Sequence, residues 1–340
     1  MEHGRQLSRI SLACSVWWLL TLSAAAQVNP GADDEPQLVP LPVKVPAPRS
    51  DPTTPEKVAL GKQLFFDPRL SGDNTNSCAT CHAPEKAFGD GLATGKGRNG
   101  KPLRRNTPSL LNVGLYSSFF WDGRAGSLEE QALAPIESPH EMNQKLDELE
   151  QELGAVHGYV EQFQQVFGTK PTRDVIVKAL AAFERSLVTG PSPFDKYLAG
   201  ERDALSKEAK RGLELFVGDA GCVRCHSGPL LSDSKFYRLG ISTTDRGREE
   251  VTRDEKDRMR FRTPSLRNIA ETAPYMHDGS LATLTSVVEF YYRGVTPVSS
   301  PLAPEVESLQ GRSYSEVSDL VAFLESLSGE PPKIKRPTLP

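Results

Sequence analysis

The chain carries no excess of charge of either sign: 40 Lys and Arg stand against 44 Asp and Glu, a formal net charge of −4 over 340 residues. Nothing in that balance suggests a nucleic-acid or anionic-membrane partner. Long apolar runs are also missing. The N-terminal run from Ile10 to Leu22 is too short, and wrongly flanked, for a membrane span. No convincing set of alternating strands is present, so an all-α fold is expected. Thiols are scarce as well. Of five Cys, only Cys14 lies outside two short frames, and it sits within the N-terminal apolar run.

Arg5 and Arg9 precede that run and Ala24-Ala25-Ala26 follows it, the three-part pattern of a cleavable export signal over residues 1–26. Cleavage there removes Cys14 and leaves four Cys, all in C-x-x-C-H frames: Cys78-Ala-Thr-Cys81-His82 and Cys222-Val-Arg-Cys225-His226. One C-x-x-C is ambiguous between zinc, a redox dithiol and haem. Two copies, each followed at once by His in an exported chain, read as attachment sites for two c-type haems. The thiols form thioethers to the porphyrin, and His82 and His226 bind the irons. Such haems are attached outside the cytoplasm, so a periplasmic location is expected.

The remaining length suits two domains. Residues 27–53 are proline-rich and predict an extended linker or strap. Thr54-Pro55 is a cap followed by proline at the first helical position, and Ser127-x-x-Glu130 is a capping box. The chain then repeats itself. Gly61-Lys-Gln-Leu64-Phe65 precedes the first haem frame and Gly212-Leu-Glu-Leu215-Phe216 the second; Thr107-Pro-Ser-Leu-Leu-Asn112 matches Thr263-Pro-Ser-Leu-Arg-Asn268. Nine residues after each Asn comes a ring followed by Asp-Gly, at Trp121 and at His277. Ala182-Phe183-x-x-Ser186-Leu187 is echoed by Ala322-Phe323-x-x-Ser326-Leu327. Each half therefore reads as one cytochrome c-like unit, 54–190 and 191–329, with a loose proline-rich tail at 330–340. The charge-dense stretch Asp245–Arg262 is mixed in sign and reads as a solvated loop, with a partner-docking surface as the alternative.

Haem iron has a sixth position, and its occupant separates electron transfer from catalysis. Between His82 and Trp121 there is neither His nor Met. The first haem thus lacks a distal ligand in its own long loop and is the candidate reactive centre.

The order of motifs resembles the bacterial di-haem cytochrome c peroxidases and their MauG-type relatives across nearly the whole mature chain. The residues that carry the likeness are Phe120-Trp-Asp-Gly-Arg-Ala125, Gln131-Ala-Leu-Ala-Pro135, Glu141-Met142 and Ala273-Pro-Tyr-Met-His-Asp-Gly-Ser280. The resemblance implies a peroxidatic first domain, with Trp121 as a relay between the haems, Glu141 as the distal carboxylate and Gln131 as a neighbouring amide. His140 is an alternative proton carrier. It implies Tyr291 as the second haem's distal ligand, where electron-accepting peroxidases place methionine; Met276 and Tyr292 stay open as alternatives. It also implies a calcium ion held by the Asn106 side chain and the backbone oxygens of Thr272 and Pro274. The expected function is oxidation of a protein substrate, or another donor such as a small redox protein, by hydrogen peroxide. A conventional cytochrome c peroxidase, fed by a small cytochrome or cupredoxin, is the alternative, and a pure di-haem electron carrier the third possibility.

Overall fold

The computed structural model describes Met1 and residues 37–241, 244–293 and 314–340. The expected export signal beyond Met1, Cys14 and the first part of the linker lie outside the described residues. No helix among the described residues is long and apolar enough to cross a membrane.

The fold is mostly helical and is built twice. In the first half, Thr54 accepts from the Lys57 N–H and starts helix Pro55–Phe65, which crosses helix Arg173–Arg185. The crossing is close enough that a Cβ on Gly61 would stand 1.8 Å from the Ala179 carbonyl oxygen. The second half repeats it with helices Lys207–Val217 and Tyr314–Glu325, where a Cβ on Gly212 would stand 1.9 Å from the Asp319 carbonyl oxygen. Beside each crossing two phenylalanines meet with ring centroids 5.0 Å apart, Phe65 on Phe183 and Phe216 on Phe323. Glycine is required here by the approach of two backbones, which side-chain packing then locks. Two apolar cores follow, one drawn from residues between Leu60 and Leu187, the other from residues between Phe194 and Leu327.

Each T-P-S-L-x-N segment is tied to its closing helix in the same way. Asn112 and Asn268 are both left-handed, at φ 59° and 56°. Their N–H groups donate to the carbonyls of Leu187 and Leu327. Their side-chain oxygens accept from the N–H of Thr189 and of Gly329. Asparagine suits both demands, since it tolerates the left-handed region and carries its own acceptor.

Three features depart from the sequence expectations. A short antiparallel hairpin, β1 Phe236–Arg238 paired with β2 Arg260–Arg262, interrupts the all-α pattern. The Ser127 hydroxyl caps as expected, but Glu130 returns its carboxylate to the Gly126 N–H rather than to Ser127. The tail, expected to be loose, lies along the first half: Ile334 packs on its core and the Pro340 carbonyl accepts from Arg69. The first described residues of the linker are a strap on the second half, and further on Val45 lies against Gly114 and Asp51 pairs with Lys57 of the first. Gln37 and Val39 offer carbonyls to the Gly228 N–H and the Arg267 guanidinium, and the Leu41 N–H donates to Asp195.

Candidate active site

A single cavity of about 1410 Å³ is lined by residues of both halves, including Cys81, His82, Cys222, Cys225 and His226. None of the four motif Cys is paired in a disulfide. Cys78, the fourth, packs against the first apolar core. In each motif the His ring is oriented by a backbone carbonyl. His82 Nδ1 lies 3.0 Å from the Phe88 oxygen and His226 Nδ1 lies 2.9 Å from the Leu231 oxygen. A carbonyl only accepts, so each Nδ1 carries the proton and each Nε2 lone pair is left for a metal. Burial lowers both imidazoles, which keeps them neutral as ligation requires. Two oriented imidazoles with adjacent thiols on one large cavity fit two covalently held haems.

The hairpins after the T-P-S-L-x-N segments bind the halves reciprocally. Arg262 donates its N–H to the Trp121 carbonyl (2.8 Å), and Asn106 donates its N–H to the His277 carbonyl (2.7 Å). Asn106 and Arg262 each immediately precede a T-P-S-L segment, so the two bonds are repeat equivalents crossing in opposite directions. Gly123 faces Phe236 of the second half and Gly279 faces Ala93 of the first, each too close for a Cβ. Trp121 is thereby held against both halves, with its indole N–H donating to the Asn106 carbonyl at 2.9 Å. His277 is buried, stacked on Phe261 with ring centroids 3.7 Å apart.

The same register relates the distal faces. Helix Leu128–Glu137 and helix Leu284–Arg293 begin five residues after their Asp-Gly pairs, and fourteen residues beyond the ring stand Pro135 in one half and Tyr291 in the other. Both line the cavity. One position further, Ile136 and Tyr292 are both buried, each in its own core. Tyr291 interacts with Cys222 and Cys225, and burial raises its phenol. Tyr292 and Met276 also line the cavity.

Gln131 and Glu141 lie on the first-site wall near Pro135. The Gln131 side-chain oxygen is buried with no protein partner. Burial raises the Glu141 carboxyl, opposed by Arg124, by a hydrogen bond from Ser138 and by His140. His140 is exposed by comparison. Asn106 Nδ2 donates to Leu92 O at 2.9 Å and lies 3.4 Å from Pro274 O, so the structure brings together two of the three oxygen-bearing residues implied for calcium.

Sequence patterning did not anticipate the charged clamp beside Trp121. Arg105 bridges Asp122 of its own half (2.6 Å) and Asp245 of the other (2.7 and 2.9 Å), while Arg104 grips Glu250 with two bonds. The stretch expected to be a solvated loop is therefore partly interface, with Asp245, Glu249 and Arg262 buried. Burial acts to raise the Asp245 carboxyl, but hydrogen bonds from Arg105 and the Gly247 N–H hold it below its ordinary value. The one available signal was the Asp that follows each ring, Asp122 and Asp278.

A family profile described as di-haem cytochrome c peroxidase matches residues 55–203. The methylamine utilization protein MauG of Methylorubrum extorquens is 45% identical over 304 residues, covering 88% of this chain and 86% of that protein. The chain belongs to the di-haem cytochrome c peroxidase family. It is accordingly an oxidoreductase acting on peroxide, with two cytochrome c-like haem domains. Cytochrome-c peroxidase IdrP1 of Pseudomonas sp. strain SCT is 39% identical over 379 residues, covering 100% of this chain and 97% of that one. Among solved structures, a MauG-like protein associated with microbial copper homeostasis superposes with a TM-score of 0.78 at 32% identity, covering 87% of this chain and 95% of that one.

Proposed function

We propose that this di-haem peroxidase is exported to the periplasm and is MauG-like: hydrogen peroxide is reduced in the first domain, 54–190, and the oxidising equivalents pass to a protein substrate or another donor. When bound, the two haems would supply peroxide reduction and storage of oxidising equivalents. Cys78, Cys81 and His82 would hold the first; Cys222, Cys225 and His226 the second, with Tyr291 on its distal side. The observation that carries this choice is the register that sets Tyr291 on the cavity wall beside Cys222 and Cys225, where the first half has Pro135. Proline has no group that ligates a metal, so peroxide has access at the first site. A phenolate is anionic and hard, and disfavours a reduced metal as a store of electrons.

Glu141 is suited to move the proton that leaves one peroxide oxygen onto the other, because a carboxyl raised by burial exchanges protons nearer neutral pH. Gln131, with its buried unpartnered oxygen, would orient the peroxide by accepting its second proton as a hydrogen bond. Trp121, fixed through Asn106, would relay electrons between the halves. A calcium ion at Asn106, Thr272 and Pro274 would stiffen the same peptide that holds the indole. Neutral oxygens suit calcium.

The test is peroxide addition to the oxidised, haem-loaded enzyme without reductant. A long-lived optical change of both haems is expected, and Tyr291→Phe should abolish the low-spin paramagnetic signal of the second. Reaction only after prior one-electron reduction would favour a conventional cytochrome c peroxidase, to which the likeness to IdrP1 also points. Two low-spin signals in the resting enzyme would leave a pure electron carrier.

A further inference from the structure

We propose that Tyr237 is the residue through which electrons from an outside one-electron donor protein enter the second haem site, with Asp233 as its proton partner; this rests on the peroxidase function above. Tyr237 is the middle residue of β1, half-buried and on the cavity wall. Its hydroxyl contacts the Cys225 side chain, the sulfur that would carry the second porphyrin, and donates to Asp233 Oδ2 at 2.7 Å. Asp233 is itself fixed: its N–H donates to the Cys225 carbonyl at 2.8 Å, and its other carboxylate oxygen accepts from the Lys235 N–H at 2.9 Å. The hairpin also reaches Trp121, since Phe236 pairs with Arg262, whose N–H donates to the Trp121 carbonyl.

Elementary chemistry favours this position. A phenol that loses an electron becomes strongly acidic and keeps the resulting radical only if its proton has somewhere to go. Burial and the bond to Asp233 hold the resting phenol above its ordinary value, so Tyr237 starts neutral with its acceptor already in place. The balance for each electron is simple. Tyr237 gives one electron to the oxidised second site, its O–H bond breaks and the proton passes to Asp233. A reduced donor protein then returns one electron, and Asp233 returns the proton. Two such cycles supply the two electrons that, with two protons from solvent, convert one hydrogen peroxide to two waters.

Other aromatic residues meet fewer of these conditions. Trp121 is the one tryptophan outside the first 18 residues, and its N–H is tied to a carbonyl, which cannot take a proton. Tyr159 donates to Asp67 at 2.6 Å but is fully buried in the first core. Tyr275 donates to the Ile269 carbonyl. Among the described residues, Tyr237 alone is shown to join contact with a haem-attachment cysteine to a carboxylate acceptor.

The experiment uses the haem-loaded enzyme, grown with ring-deuterated tyrosine, mixed with hydrogen peroxide without donor and frozen for paramagnetic resonance. A narrow tyrosyl signal, sharpened by the deuteration, is expected. It should vanish in Tyr237→Phe and lose most of its yield in Asp233→Asn, which keeps the phenol but removes the base. Oxidation of a reduced small c-type cytochrome by the peroxide-treated enzyme should slow by about tenfold or more in both variants. An unchanged radical and an unchanged donor rate in Tyr237→Phe would overturn the proposal. So would a signal that deuteration leaves alone. If peroxide does not alter the haem spectra at all, the peroxidase function fails first; if it does and the signal maps elsewhere, only Tyr237 fails.

Discussion

Glu184 is a buried acid without a full set of partners, and its own contribution to stability should fall with rising pH. It sits on helix Arg173–Arg185, 5% exposed, beside Cys78, with one carboxylate oxygen unpaired. Burial pushes its carboxyl from an ordinary 4.5 up to about 8, opposed by Arg185 and reinforced by Glu129. The direction is the reverse of a salt-bridged carboxylate. Glu184 costs nothing while protonated in both states, below its unfolded value, and the folded state loses ground as pH rises towards about 8. At about 1.4 kcal/mol per unit of difference, the loss amounts to about 3 kcal/mol by neutral pH. Glu184→Gln should therefore be more stable than wild type by a few kcal/mol near pH 7 and about equal to it near pH 4.5, since the amide keeps the shape and carries no charge. Denaturant unfolding of the haem-loaded protein at several pH values measures this. A stability difference that stays flat with pH would show that Glu184 is solvated or paired, and the reasoning would fail.

Glu141→Gln should slow O–O bond cleavage by about 10²-fold or more in single-turnover mixing with peroxide. The wild-type rate should fall as pH drops through the raised carboxyl value, and the variant should lack that limb. Trp121→Phe keeps an aromatic ring but loses the oxidisable indole and its N–H bonded to Asn106, so peroxide should still react at the first haem while the optical change at the second slows by about tenfold or more. Gly61→Ala must push helix Pro55–Phe65 away from the Ala179 carbonyl and should cost about 1–3 kcal/mol in denaturant unfolding. Arg105→Leu removes the cation that Asp122 and Asp245 share, leaving Asp122 with Arg124 and Asp245 with Arg104 and the Gly247 N–H, and should destabilise by about 1–3 kcal/mol. In wild type the Asp245 contribution is present above its unfolded value of 3.8 and lost as pH falls through its depressed folded value; acid unfolding of the variant should show a weaker limb, since Arg104 and the Gly247 N–H remain.

Much of this was legible in the chain because the signals are local. A C-x-x-C-H frame declares its chemistry within five residues, and a repeat needs only matching segments in order. The hairpin was not legible, because strands of three residues are too short to show alternation. The clamp of Arg105 with Asp245 was hidden for another reason: the partners are 140 residues apart, and a mixed-charge stretch reads the same whether its ions face water or each other. The distal side of the first haem shows the middle case. The missing His and Met between 83 and 120 pointed to an open site, but why Pro135 occupies that place emerged only when Leu128–Glu137 and Leu284–Arg293 were seen as equivalent helices.

On the proposed function, that equivalence would let one duplicated unit perform two tasks. The framework positions are kept: Gly61 and Gly212 at the crossings, Asn112 and Asn268 at the left-handed turns, Gly123 and Gly279 where each half presses on the other. The differences fall on side chains that face the cavity or its neighbourhood. Pro135 stands against Tyr291, Gln131 against Val287, and Trp121 against His277. Each substitution changes what a bound haem meets and leaves the backbone route intact. The asymmetry can be large because the scaffold that carries it is symmetric: the closing helix of each crossing packs against the distal helix of its half, so exchanging the proposed ligand Tyr291 for a non-ligating side chain would alter chemistry without moving the site. Tyr291→Pro would test the converse poorly, since proline within Leu284–Arg293 removes a helical N–H donor. Pro135→Tyr is the informative exchange. A tyrosine there restores a backbone donor and faces the first cavity from the position Tyr291 holds in the second, so the first haem should turn low-spin and peroxide reactivity should fall sharply. A first haem that stays high-spin and reactive would mean that the two distal helices are not equivalent in the way their register implies.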